Sequence, residues 1–290
     1  MAILIDRGTR VVVQGITGKI GSFQTRLMIN YGTNVVAGVT PGKGGRSLDG
    51  VPVFDSVYEA IDNTSAEVGI SFVPGAYAAD AAEEAVDAGL RLEVVLAEGV
   101  PLSDTARMLT FASKRGSIII GPDTSGLISP GRAKLGVQPH HLFSEGRVGV
   151  ISRSGALSYE TAKVLTENGI GQSTVIGLGG GPMWGLTHQK ALEMFRSDKD
   201  TEAVVLLGEI GGDIEEEAAE YVKRGYPKPV IALIVGRSAP SGQKMGHAGA
   251  IVQEGRGTAQ GKIAALRDAA ALIANSPMEI PALIRGCTSP

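Results

Sequence analysis

Cysteine is almost missing from this sequence: Cys287 is the only one in 290 residues, so no internal disulfide can form. The expected compartment is therefore a reducing one, the cytoplasm. No apolar run approaches the ~20 residues of a membrane span, the longest being stretches such as residues 230–235. An acidic residue, Asp6, interrupts the N-terminal apolar run too early for a secretory leader. The expected protein is soluble and has no membrane partner. A strong charge of either sign is also lacking, with 27 Lys and Arg against 30 Asp and Glu and a net charge of -3. That balance gives no general attraction to nucleic acid, so any anion must be met by a local site. Glycine is abundant instead, at 41 residues, with no collagen period and no low-complexity tract. These glycines mark turns and places where bare backbone approaches a ligand.

Short β-branched runs alternate with helix-length segments, the pattern of parallel sheets covered on both faces. Strands are expected at residues 10–13, 35–39, 68–73, 92–96 and 117–120, with helices starting near Gly21, Val57, Ala78 and Asp104. A second series runs through residues 147–151, 174–178, 203–207 and 230–235, with helices over 157–168, 187–195, 215–224 and 259–271. Between the two series, Pro130, Gly131, Pro139 and Gly146 give residues 123–146 the composition of a connection across a domain junction. The expected fold is α/β: a Rossmann-like domain over residues 1–122, then a flavodoxin-like, doubly wound parallel-sheet domain over residues 123–290.

The first strand runs into Gln14-Gly15-Ile16-Thr17-Gly18-Lys19-Ile20-Gly21, which opens a helix. Its glycines can bring backbone N–H groups and the helix dipole onto a phosphate. The spacing is G-x-x-G-x-x-G, and the end of the second strand is more decisive. A NAD site places an acid there to bond the ribose hydroxyls. Here the strand leads instead into Thr40-Pro41-Gly42-Lys43-Gly44-Gly45. A cation on a glycine-rich turn suits a nucleotide with an extra ribose phosphate, which leaves CoA and NADP.

A second anion site is expected at Ser152-Arg153-Ser154-Gly155, where Ser154 can cap a helix whose free N–H groups then face an anion. Two other strands of this series end unusually. One ends in Gly208-Glu209-Ile210-Gly211-Gly212, and a buried Glu209 requires a basic partner. The other leads to Gly246-His247-Ala248-Gly249, whose small residues leave the His247 ring accessible. A histidine oriented by a carboxylate on one nitrogen presents the other as nucleophile, base or metal ligand. His140, His141 and His188 lack ligand spacing with His247, so no metal site is expected. A serine hydrolase is unsupported because Gly-x-Ser-x-Gly is absent. The consistent chemistry is a phosphoryl-carrying His247, oriented by Glu209, with its phosphate stabilised at Ser154 and Gly155.

Over residues 3–285 these motifs, with Gly38-Val39-Thr40-Pro41-Gly42-Lys43-Gly44-Gly45, resemble the alpha subunits of succinate–CoA ligases. That family lies within the nucleoside-diphosphate-forming acyl-CoA synthetases. The resemblance implies a CoA-binding first domain that uses Gly15, Thr17, Gly18, Lys19, Gly21, Pro41, Lys43, Val73, Pro74 and Glu98. It implies a ligase domain in which His247 is transiently phosphorylated and Glu209 supports it. It further implies a beta subunit with an ATP-grasp domain, in a heterodimer or heterotetramer, that holds ATP or GTP with Mg²⁺. The substrate would be a small carboxylic acid, succinate first, with malate or citrate as alternatives. The alternative of another class is a CoA-binding paralogue without turnover.

Some positions depart from the family pattern. Asp123-Thr124-Ser125 stands where the family reads Asn-Cys-Pro, and Gly181 stands where it reads Asp. These segments, with Asp123, Thr124 and Ser125 next to the substrate, are expected near the reacting centre. Asp123 there adds negative charge that disfavours an anionic substrate unless a cation compensates. Val73-Pro74-Gly75-Ala76, Ala97 before Glu98-Gly99, and Pro139-His140-His141 also differ from the pattern.

Overall fold

A computed structural model describes residues 3–252 and 256–288. The first half runs β1 (Val11–Gln14), α1 (Lys19–Tyr31), β2 (Val35–Val39), β3 (Ser47–Leu48), β4 (Val51–Phe54), α2 (Val57–Thr64) and β5 (Val68–Ser71). It continues through α3 (Gly75–Asp87), β6 (Leu92–Val95), α4 (Leu102–Arg115) and β7 (Ile118–Ile120). The second half holds β8 (Gly126–Ser129), β9 (Ala133–Gly136), β10 (Glu145–Ser152), α5 (Gly155–Glu167), β11 (Gln172–Gly177), α6 (His188–Ser197) and β12 (Ala203–Glu209). It ends with α7 (Ile214–Lys223), β13 (Val230–Val235), α8 (Ala259–Asp268), β14 (Leu272–Ile273) and α9 (Ile280–Cys287). Among the described residues no helix is long and apolar enough to cross a membrane.

The first sheet is ordered β3-β4-β2-β1-β5-β6-β7, parallel except for the short edge strand β3. Without β3 this is the Rossmann order, which reverses between β1 and β5. The second is ordered β14-β13-β12-β10-β11-β8-β9, and its five parallel strands have the flavodoxin-like order, reversing between β10 and β12. Helices cover both faces, so the strands are continuous apolar runs: Val11, Val12, Val13 and Val204 to Leu207 have no exposed surface. Ligands in such sheets gather where the strand order reverses, at the carboxyl ends. Those ends carry Gln14-Gly15 and Ser71 in the first sheet, and Ser152-Arg153 and Glu209 in the second.

One expectation is corrected. Residues 123–146 are not merely a connection: β8 and β9 form an antiparallel hairpin, and β8 pairs with β11 at the edge of the second sheet. The hairpin turns at Ser129-Pro130-Gly131-Arg132, with Arg132 N–H donating to the Ser129 carbonyl at 3.0 Å and Gly131 at φ 73°. Pro followed by a left-handed Gly is the chemistry of a tight turn. Four-residue strands rich in glycine show too little apolar alternation to be recognised. The hairpin also binds the two halves together. The Thr33 hydroxyl, just after α1, donates to the Lys134 carbonyl and accepts from its N–H, both at 2.9 Å, and Gly131 N–H donates to the Tyr31 hydroxyl at 2.8 Å. Short β3, β4 and β14 and the C-terminal α9 are likewise additional to the expected elements.

Glu93 faces Gly69 across β5 and β6, fully buried, and neither carboxyl oxygen has a hydrogen-bond partner among the described residues. Burial, reinforced by Glu84, holds its carboxyl well above the usual range, so it folds as the neutral acid. A raised folded-state value contributes stability fully present below the unfolded value near ~4.3 and lost as pH rises through the folded one. Glu93→Met should therefore stabilise the fold by about 1–3 kcal/mol at pH 8, with the gain shrinking towards pH 4. Urea unfolding at the two pH values measures this, and a gain independent of pH would contradict the assignment.

Candidate active site

At the carboxyl end of β12, Glu209 turns its carboxylate to the His247 ring, with Nδ1 at 2.9 and 2.8 Å from its two oxygens. The arrangement places the ring proton on Nδ1, donating to Glu209, and leaves Nε2 as the free nitrogen. Nε2 has no hydrogen bond with the described residues. The His247 side chain is 35% exposed, whereas Glu209 is nearly buried. One face of the ring lies on the backbone of Gly180, where a Cβ would come within 2.5 Å of Cδ2 and Cγ. Glycine at this position is what lets the 179–181 segment support the imidazole.

Behind Glu209 lies Arg153, 2% exposed, its Nη2 3.3 Å from a Glu209 carboxylate oxygen. Immediately after it, Ser154 caps α5 by accepting from Leu157 N–H at 3.3 Å, and Gly155 is the first residue of the helix. That helix start opens beside Ser125, which a Cβ on Gly155 would approach at 3.2 Å. The Thr124 hydroxyl donates to the Gly177 carbonyl at 2.6 Å, fixing the 123–125 segment against the end of β11. Asp123 N–H donates to the Ala97 carbonyl at 3.0 Å, and Gly180 N–H donates to the Asp123 carbonyl at 3.1 Å. Asp123 itself takes φ 60°, a left-handed conformation that Asp and Asn tolerate better than most residues.

The Glu209 hydrogen bond, opposed by burial and aided by the charges of Glu209 and Asp123, holds the His247 imidazole above its usual range, while Arg153 lowers it. Asp123 is also pushed up, chiefly by burial and then by Glu98, against the lowering charges of His247 and Lys244. The negative charge expected from Asp123 is thus moved towards its neutral form and has cations facing it.

In the first sheet, the turn after β1 places Gly15 at φ 74°. Gly21 packs so tightly on it that any Cβ there would strike the Gly15 carbonyl oxygen. Gly18 precedes α1 with no side-chain cap, leaving the N–H groups of the first turn, near Lys19, without a side-chain acceptor. The Thr17 hydroxyl donates to that of Thr40 at 3.2 Å, joining this turn to the Pro41–Gly45 loop. Asp55 shapes that loop by accepting from Lys43 N–H and Gly44 N–H, both at 2.9 Å. Val73 and Pro74 follow β5 and lead into α3, and a Cβ on Gly75 would approach the Glu98 carbonyl at 2.7 Å. Glu98 adjoins Ala97, the partner of Asp123, so a continuous path of backbone contacts leads from the first turn to His247.

The structure therefore brings His247, Glu209, Gly155, Ser154 and the 123–125 segment together, and gathers Gly15, Thr17, Gly18, Lys19 and Gly21 at the other reversal point, with the loop of Pro41 and Lys43 joined to them through Thr40. Sequence reasoning missed Arg153 as the buried cation, and Glu215, Lys262 and Trp184 around it. Glu215 lies in a run of three glutamates that reads as a solvated helix start, and Lys262 reads as an ordinary surface lysine. A cavity of about 1020 Å³ opens beside this cluster, lined by Trp184, Asp213, Glu216, Gly249 and Thr258.

Residues 6–99 match the CoA binding domain family, and residues 151–272 match the CoA-ligase family. The chain is 50% identical over 282 residues to the Aquifex aeolicus succinate–CoA ligase [ADP-forming] subunit alpha, covering 97% of this chain and 92% of that one. It is 52% identical over 285 residues to the Archaeoglobus fulgidus succinate–CoA ligase [ADP-forming] subunit alpha 1, covering 98% of each. In fold it resembles ATP citrate lyase from Methanothrix soehngenii, solved with citrate and coenzyme A, with a TM-score of 0.88 at 24% identity. That match covers 99% of this chain and 52% of the lyase chain, so this chain spans about half the lyase's length.

The hydrogen bond from His247 to Glu209 is the largest influence on the ring, and Glu209→Gln removes its charge while keeping an acceptor. The His247 midpoint, followed by NMR, should therefore fall. A midpoint that stays in place would show that Glu209 does not control the ring.

Proposed function

The chain belongs to the succinate–CoA ligase alpha-subunit family, and we propose that within it His247 is the phosphoryl carrier. The acid–thiol ligase reaction joins a carboxylic acid to CoA at the expense of a nucleoside triphosphate. Succinate is the acid and ATP the nucleotide favoured here, supported by the names of the full-length relatives. The observation that carries the reading is the carboxylate contact at Nδ1, which leaves Nε2 as the nucleophile.

In this reading Nε2 attacks the terminal phosphorus, the bond to the leaving nucleoside diphosphate breaks, and Glu209 holds the Nδ1 proton as positive charge develops on the ring. An acid carboxylate oxygen then attacks that phosphorus and the N–P bond breaks, returning the neutral imidazole. CoA thiolate attacks the acyl carbon last, and inorganic phosphate leaves. Ser154 and Gly155 offer the start of α5 to the phosphoryl oxygens. The nucleotide and its Mg²⁺ belong, in this proposal, to an ATP-grasp beta subunit, the Mg²⁺ neutralising phosphate charge. The uncapped start of α1 and the bare Gly15–Gly21 cradle suit the CoA phosphates, with Lys43 facing the ribose phosphate and Val73, Pro74 and Glu98 along the path towards His247. The intact His247–Glu209 pair argues against a paralogue that only binds CoA.

His247→Asn should abolish acid-labile labelling by radioactive ATP in the presence of the beta subunit, while CoA affinity stays near that of the wild type. Labelling that persists in this variant would place the carrier elsewhere. Lys43→Ala should weaken CoA by about 1–3 kcal/mol and dephospho-CoA far less, if the ammonium makes a charge-assisted bond to the ribose phosphate. Calorimetry with both ligands decides it, since equal losses would remove Lys43 from that role.

A further inference from the structure

Four charged side chains of alternating sign are packed behind His247, on α8, α7, the turn between β10 and α5, and the end of β12. Lys262 of α8 pairs with Glu215 of α7, both completely buried, and its Nζ also lies 3.3 Å from Glu216. Glu215 Oε1 lies 3.3 Å from Arg153 Nη1 and accepts from Glu209 N–H at 3.2 Å. Arg153 Nη2 lies 3.3 Å from Glu209, and Glu209 holds His247. Arg153 is the middle of this chain. Its Nη1 donates to the Gly211 carbonyl at 2.8 Å and lies 3.3 and 3.4 Å from those of Glu209 and Ile210, while its guanidinium carbon stands 4.7 Å from the Trp184 ring centre. The indole of Trp184 in turn donates to the Gly179 carbonyl at 3.1 Å, on the segment that carries the ring of His247. Nε and Nη2 make no hydrogen bond with the described residues, so the guanidinium meets Glu209 as a charge rather than as an aligned donor.

A carboxylate touching a histidine has two opposed effects: it orients the ring, and it favours the imidazolium, which has no lone pair for attack. We propose that Arg153 is the positioning residue that separates these effects, bearing on Glu209 from behind so that the carboxylate holds Nδ1–H without fixing His247 as imidazolium. Without Arg153, Glu209 would have His247 as its nearest cation, because Lys262 is taken up by Glu215 and Glu216. The other groups facing this cluster do not replace it. His188 of α6, buried beside Glu215 and Arg153, is held at about 4 by desolvation and is neutral at working pH. Asp123, after β7, adds to the imidazolium-favouring side, and Glu98 and Lys244 both act on Asp123. Arg153 is a charged group on the other side, lowering the His247 value.

The inference rests on His247 being the phosphoryl carrier, and the test keeps the two apart. The wild type, Arg153→Met and Arg153→Lys are each assembled with the beta subunit, and His247 labelling by ATP is followed in single turnovers from pH 5.5 to 9.5. The His247 midpoint is measured by NMR on the isolated chain, independently of activity. In Arg153→Met the midpoint and the acidic limb of the rate profile should both move up by about one pH unit. Its labelling should fall roughly tenfold more at pH 6 than at pH 9, because a midpoint about one pH unit higher leaves that much less neutral imidazole on the acidic side. Arg153→Lys, which keeps the charge, should restore the limb even if the rate stays low. If Arg153→Met does not fold, Arg153→Met with Glu215→Gln removes two opposite buried charges together and should show the same upward movement. A midpoint that is unchanged or lower in the folded variants, with rates reduced equally at every pH, would overturn the proposal and leave Arg153 as packing. Absence of label on wild-type His247 would overturn the carrier reading instead, while the NMR midpoint would still test Arg153.

Discussion

Glu209 is a carboxylate at the end of a buried parallel strand, 6% exposed, and water does little to solvate it. A charge placed there has to be met by protein groups from every side, or it is lost to protonation. Arg153 meets it from behind, His247 from the solvent side, and the Glu209 backbone N–H is taken by Glu215. Each partner then carries its own requirement: Arg153 needs carbonyls and an aromatic face, Glu215 needs Lys262, and His247 needs a glycine beneath its ring. The glycine at 180, against the His247 ring, and the small residue at 249, against Arg153, make room for this arrangement around one nearly buried carboxylate. Removing a single member leaves its neighbour uncompensated, which is why such a chain is better understood as a positioned whole than as a sum of ion pairs.

Sheet topology places that chain where it can act. In both halves the reversal of strand order opens a crevice at the carboxyl ends, and in both a helix begins there with free N–H groups: α1 after Gly18 and α5 after Ser154. The two crevices communicate through backbone bonds from Ala97 to Asp123 and from Asp123 to Gly180. In the proposed reading, a thiol entering from the first half and a phosphoryl group on His247 of the second would meet near the 123–125 segment. The hairpin of β8 and β9, which fills the seam between the halves, fixes their mutual placement through Thr33 and Tyr31.

How much of this was legible in the sequence depended on whether a signal was local. Val11 to Val13 and Val230 to Val235 are strands because they are apolar and β-branched, and Ser154 is a cap because a serine precedes a helix-forming run. The pairing of Glu209 with His247 could be inferred because Glu209 ends β12 and His247 lies on the loop that follows the neighbouring strand β13, at the same edge of the sheet. Arg153 was visible as part of a motif, yet nothing nearby in sequence says that its charge is fully buried. Glu215 and Lys262 lie 47 residues apart and meet only through the packing of α7 on α8. Glu93 in the middle of β6 reads as a fault in an apolar strand, and only the burial of both its oxygens identifies it as a neutral acid. The β8–β9 hairpin was hidden for the opposite reason: glycine and proline, which read as a loop, supply its turn.

Asp123 is where sequence and structure bear most directly on the substrate. The family pattern that the sequence resembles reads a neutral amide at the position, and an aspartate in a left-handed turn, which Asp and Asn both tolerate, adds the ability to ionise. Burial and Glu98 push it towards the protonated form, in which it again offers a donor and an acceptor, much as an amide does. His247 and Lys244 oppose that shift, so the charge on Asp123 is coupled to the state of the His247 ring: a cationic ring favours the carboxylate, and a neutral ring favours the acid. An anionic substrate approaching a neutral His247 therefore meets a less negative Asp123 than the sequence alone implies, and the substitution is compatible with carboxylate chemistry at this site.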